Sequence, residues 1–229
     1  MNGSSWRRVA IAPLALATVA CGAARTPSSA GPATAPASPT ASAAAARADD
    51  ARVRRAADAR FMRDMMGHHA QALAMTALVP ERSRRDDVRL LAQRIETTQR
   101  DEIALMQRWL RARGEAVPSV DPQHAQHAQH AQHGGAAHGQ HAAMPGMLTA
   151  AELTRLAQAA GAEFDRLFLQ YMIRHHEGAL TMVADYFRTP GAGQDAEAFR
   201  LASDVDADQR AEIRRMRAML DAPAPTPRR

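Results

Sequence analysis

Apolar residues recur at helical spacing through two stretches, about 48–114 and 148–221, and lose that periodicity elsewhere. In the first stretch Met65 serves as a reference, each residue turning about 100° around the helix axis. Phe61, His68, His69, Ala72 and Val79 then fall on its side of the helix, while Arg60, Arg63, Gln71 and Ala74 fall opposite. The stripe predicts a helix over 49–79 stopped by Pro80, and a second from an N-cap at Ser83, through Asp86 and Asp87, to Arg113 before Gly114. Beyond position 148, Thr149 and Glu152 have capping-box spacing and open a short helix that breaks near Gly161. A long helix over about 162–188 and a last one ending near Asp221 flank the turn Thr189-Pro190-Gly191.

The two stretches repeat one another. FMRDMMGHHAQALAM (61–75) aligns without gaps to FLQYMIRHHEGALTM (168–182), and AQRIETTQRDEIALM (92–106) aligns to ASDVDADQRAEIRRM (202–216). Seven of fifteen and six of fifteen positions match, more than an Ala-rich composition alone explains. Internal repetition dictates architecture, and two copies of a helical hairpin with short turns predict an all-α four-helix bundle.

Residues 22–47 and 115–147 carry almost no large apolar side chains, so they read as a disordered Ala/Pro/Ser/Thr tether and a low-complexity linker. The hairpins then occupy 48–114 and 148–221, and 222–229 is a tail. Four Gln-His dipeptides separated by Ala help make the linker His-rich, which carries His124, His127, His130, His133, His138 and His141. Low-specificity metal capture and simple repeat expansion account for that tract equally well.

Composition narrows the possibilities further. Only 4% of residues are aromatic while 46% are hydrophobic, much of that Ala, which suits helices and not a β-sandwich. All 29 basic residues are Arg, and they interleave with Asp and Glu. The net charge of +5 therefore forms no basic stripe, and no nucleic-acid partner is expected. The single Cys21 excludes a disulfide framework and a thiolate zinc site.

Residues 1–21 explain that cysteine. Arg7 and Arg8 precede an apolar run, Val9–Ala20, too short to span a bilayer but fitting a signal peptide. Thr18-Val19-Ala20-Cys21 resembles a bacterial lipobox, with Thr18 at the usual Leu position. Export and lipid anchoring through Cys21 to the outer face of a bacterial membrane are expected; ordinary signal cleavage is the alternative.

The chemistry lies on the inner faces. Met65 stands one turn before His68 and His69, and Met172 before His175 and His176. Buried imidazoles need partners, and thioether with imidazole in an exported chain without thiolate points to copper, as Cu(I), Cu(II) or both. No organic cofactor is expected. Coordination requires neutral imidazole, so affinity is expected to fall as pH drops through about 6 to 5. Gln99 and Glu102, with Gln209 and Glu212, also sit within apolar stripes. Counting back from the turns sets His69 level with about residue 94 and Glu102 level with about Phe61. The glutamates are thus read as supporting groups away from the His pairs. Met75 and Met182, two turns beyond the first His of each pair, are core or auxiliary.

The pattern Asp-x-x-Phe-x-x-x-Met-x-x-His-His-x-x-Ala-Leu, followed by Gln-x-x-Glu-Ile-x-x-Met, resembles the domain of unknown function 305 family. It occurs twice, opening at Asp58 and Asp165, which join the auxiliary candidates, and Pro145–Leu156 resembles that family's lead-in to its second motif. The resemblance implies a ferritin-like bundle, with exported copper-binding proteins among the members. Its His-His and Met positions fall on Met65, His68, His69, Met172, His175 and His176. Gly67 against Arg174, and Ala70-Gln71 against Glu177-Gly178, depart between the copies, suggesting an altered first site.

The leading expectation is an envelope copper-binding or buffering lipoprotein. A metal-free helical interaction module and a ferritin-like metal oxidase are the alternatives. No catalytic residue emerges, and the Glu-x-x-His pairs of di-metal bundle enzymes are missing from the sequence, which leans away from an enzyme. A metal ion and the membrane are the expected partners; a protein partner is not legible.

Overall fold

The computed structural model describes residues 41–119 and 144–222. The helices are α1 (Ala41–Thr76), α2 (Val79–Arg82), α3 (Asp86–Ala112), α4 (Ala150–Gln158), α5 (Gly161–Arg188) and α6 (Ala196–Asp221). Among the described residues there is no strand. α1 packs on α3 and α5 on α6, giving the two hairpins. They join chiefly through α1 against α5, with α3 and α6 touching more lightly, so the all-α bundle predicted from the repeat is the fold, ferritin-like as the family resemblance implies.

Several boundaries differ from the sequence expectation. α1 begins at Ala41, inside the stretch read as tether, because Ala43–Ala46 is a run of the best helix former and no breaker separates it from the amphipathic part. Pro80 does not end the first hairpin arm. The backbone stays in helical turns through Ser83, with Ala77 N on Leu73 O at 3.1 Å and Ser83 N on Val79 O at 2.9 Å. Pro80 occupies the start of α2, where its missing N–H is harmless. Ser83 closes α2, and its hydroxyl accepts from the Arg85 amide; it does not cap α3, whose N-cap is Arg85. In the second half, the Thr149–Glu152 capping box forms as expected, and Asp195 caps α6 through the amides of Glu197 and Ala198.

Phe164, Phe168, Leu156, Ile95 and Met75 pack one end of the core. Met62, Met65, Met66, Leu110 and Tyr186 pack the other. Each copy also closes the turn of its neighbour. Buried Asp58 on α1 accepts from the Tyr186 hydroxyl at 2.7 Å and from the Gly193 amide at 2.9 Å, both in the second hairpin. Its counterpart Asp165 on α5 is bonded to Ser83 in the first hairpin's turn. The two auxiliary aspartates therefore hold turns and stand apart from the histidines.

Candidate functional site

The four motif histidines come together where α1 crosses α5, and all are 0% exposed. His68 and His175 occupy equivalent places in the repeat, and their rings lie 3.8 Å apart, centroid to centroid. His69 and His176 flank them on the sides facing α3 and α6. His69 Nε2 meets Glu102 Oε2 at 2.6 Å, and His176 Nε2 meets Glu212 Oε2 at 2.6 Å. The expected register was therefore wrong. Pairing 69 with 102 centres the hairpin near Arg85, because α2 prolongs the first arm before the chain reverses.

The inner pair uses backbone acceptors. His68 Nε2 reaches Pro145 O at 3.0 Å, and His175 Nε2 reaches His68 O at 3.1 Å. Burial depresses both imidazoles, aided by the neighbouring histidines. His68 is held at about 3, even against the opposing pull of the Pro145 bond, and His175 well below its ordinary value. These two rings stay neutral far into acid, so the expected loss of affinity between pH 6 and 5 does not follow from them.

On the far side of each ring the Nδ1 atom is buried with no hydrogen-bond partner, in all four histidines. Such unpaired buried polar atoms are uncommon and ask for an explanation. Met65 and Met172 are fully buried one turn before them. Among the described residues, no three His, Cys, Asp or Glu side chains are arranged to hold a metal ion. The donors on offer are thus imidazole nitrogens with thioethers at helical spacing, a soft set that fits a cuprous ion better than a hard cation. Met75 is buried in one core cluster, and Met182 packs partly buried against the other. Gln99 is buried with both amide atoms unpartnered, as is Gln209 Oε1.

Pro145–Leu156 is legible in the sequence as a motif lead-in, but its contact with the site is not. Residues 144–149, assigned mostly to the linker, pass over the site, and the departures between the copies build their seat. Gln71 donates to Leu148 O at 3.0 Å and accepts from Leu148 N at 2.7 Å. Gly178 lies against Pro145 and Gly146 so closely that a Cβ would collide with the Pro145 carbonyl. Arg174 pairs with Glu152 through both terminal guanidinium nitrogens, and holds that carboxyl down at about 2. At the linker's other end Glu115 pairs with Arg63 at 3.2 Å. The signal in the sequence was the set of copy differences, whose structural use depends on a contact distant in sequence. Cys21 and the six linker histidines lie outside the described residues.

Fold and site together define a duplicated all-α protein with a buried His-His pair in each copy. The chain belongs to the family described as Domain of unknown function (DUF305), whose model matches residues 58–220. It is similar to a DUF305 fragment from Deinococcus radiodurans, at 32% identity and TM-score 0.56, over 72% of this chain and 95% of that one. A secreted DUF305 protein from Streptomyces coelicolor, described as putative, aligns at 33% identity and TM-score 0.57, over 72% and 91%. CopM in its Cu(II)-bound form aligns at 26% identity and TM-score 0.53, over 71% and 95%. No curated protein matches the chain.

Proposed function

We propose that this protein binds copper in the cell envelope, sequestering or buffering the ion through His68, His69, His175 and His176 with Met65 and Met172. The observation that carries the reading is the set of four buried, unpartnered Nδ1 atoms, with a buried thioether one helical turn before each histidine pair. A metal-free packing role accounts for the Nε2 bonds and leaves the Nδ1 lone pairs without use. Support comes from CopM, solved with Cu(II) at 26% identity and with Cu(I) at 25% identity. When bound, copper supplies a Lewis-acidic, soft centre to nitrogen and sulfur donors.

Export and lipidation at Cys21 belong to the same reading. Among the described residues no helix is long and apolar enough to cross a membrane, and the lipobox-like Thr18–Cys21 offers an anchor. Replacing Cys21 with Ser is expected to move the protein from the membrane fraction to the soluble one; equal partitioning refutes the anchor.

The decisive experiment is Cu(I) titration against a competing chelator, using protein without an affinity tag and without residues 123–141. Changing all four motif histidines to Ala is expected to abolish tight binding while circular dichroism stays helical. A quadruple variant that binds as tightly as its parent ends the copper reading in favour of structural histidines.

A further inference from the structure

We propose that Glu102 and Glu212 are positioning residues that fix which nitrogen of His69 and His176 is offered to a metal, an inference that rests on the copper reading above. A neutral imidazole carries one N–H and one lone pair, and the hydrogen bond at one nitrogen decides which is which. Every Nε2 in the site faces a group that accepts: two carboxylates and two backbone carbonyls. In its neutral form each of the four rings is thereby held with the proton on Nε2 and the lone pair on Nδ1.

Two of these acceptors are backbone and beyond the reach of substitution. The carboxylates are side chains packed on buried histidines: Glu102 is buried, and Glu212 is partly buried, at 7% and 14% side-chain exposure. Each comes from the second helix of its own hairpin, at equivalent places in the repeat. A carboxylate behind an imidazole also raises its donor strength toward a cation. The outer rings are therefore stronger donors than the carbonyl-backed inner rings. The structure thus separates two kinds of ligand within one cluster.

Gln in place of Glu tests this, because its amide can accept from Nε2–H or donate to a bare Nε2. In Glu102→Gln the second arrangement puts the proton on Nδ1 and blocks the lone pair.

The readout without metal is the two-bond proton–nitrogen NMR spectrum of the imidazoles in the apo, tagless full chain. The parent is expected to show His69 and His176 as Nε2–H tautomers. Glu102→Gln is expected to give His69 a mixture, with Cu(I) affinity lower by about ten- to a hundredfold. Asp208→Asn is the charge control, since Asp208 feels the fields of Glu102 and Glu212. It is expected to leave both readouts at the parent's values. An unshifted His69 tautomer in Glu102→Gln overturns the proposal, as does an equal affinity loss in Asp208→Asn. If the quadruple histidine variant loses copper but Glu102→Gln binds like the parent, positioning fails alone. If the quadruple variant also binds normally, the copper reading beneath it has failed.

Discussion

His175 donates its Nε2 proton to the backbone carbonyl of His68, 3.1 Å away, while the two rings lie against each other. The first histidine of one copy is thus hung on the first histidine of the other. That contact seals both rings from water, and its thermodynamic consequence can be measured.

His68 and His175 have folded-state values far below the usual imidazole value of about 6.5, because burial disfavours the charged ring. In the unfolded chain both rings take up protons near their ordinary value. Between there and about pH 3, where His68 titrates when folded, the unfolded state binds more protons, so stability falls as pH falls. Each ring contributes up to about 1.4 kcal/mol per pH unit across that window. Urea unfolding of the apo protein at pH 7 and pH 5 is expected to show a clear loss at pH 5. Changing both histidines to Phe is expected to flatten the dependence in that interval.

Gly178→Ala is expected to displace the segment carrying Pro145 and Gly146. The added Cβ meets the Pro145 carbonyl, a backbone atom that yields only if the whole segment moves. A cost of about 1–3 kcal/mol follows from such overpacking. His68 then loses its acceptor, so its imidazole NMR signals are expected to shift more than those of His176. Unchanged melting and unchanged His68 signals would contradict the packing described.

Asp58→Ala is expected to destabilise the protein by about 1–3 kcal/mol, because it strips the Tyr186 hydroxyl and the Gly193 amide of their acceptor. Tyr186→Phe, which spares the Gly193 contact, is expected to cost less, about 1 kcal/mol. Chemical denaturation of both variants checks the order. Copper affinity is expected to stay at the parent's level, since this clamp stands apart from the histidines.

Deleting residues 123–141 is expected to leave helical circular dichroism and cooperative melting intact. Extending the deletion through Leu148 is expected to damage both. Gln71 holds Leu148 by two hydrogen bonds, and His68 holds Pro145 by one. A shorter deletion that melts the helices shows that the low-complexity tract belongs to the core.

The helices and the pairing of motif histidines were legible because helical periodicity and internal repetition are local signals. The level of Glu102 was not, since it depends on whether Pro80 ends an arm or begins another turn. Tertiary packing of Val79 decides that, and Val79 is buried. The seat for 144–149 was invisible for a related reason. Gln71, Arg174 and Gly178 looked like erosion of the repeat until a segment distant in sequence was laid across them. Asp58 and Asp165 carried no sign of which turn each would hold.

Those reciprocal aspartates have a consequence for how the molecule is put together. Asp58 reaches the second turn, Asp165 reaches the first, and the equivalent residues His68 and His175 meet between them. An arrangement in which i meets j while j meets i is an isologous interface, the geometry of a two-fold dimer contained in one polypeptide. Each hairpin on its own presents a self-complementary face whose buried aspartate and inner histidine find their contacts in the other copy. Proteolysis within the His-rich stretch should therefore yield two fragments that stay together through gel filtration. A chain carrying one hairpin should self-associate before it is stable, with its melting temperature rising with concentration.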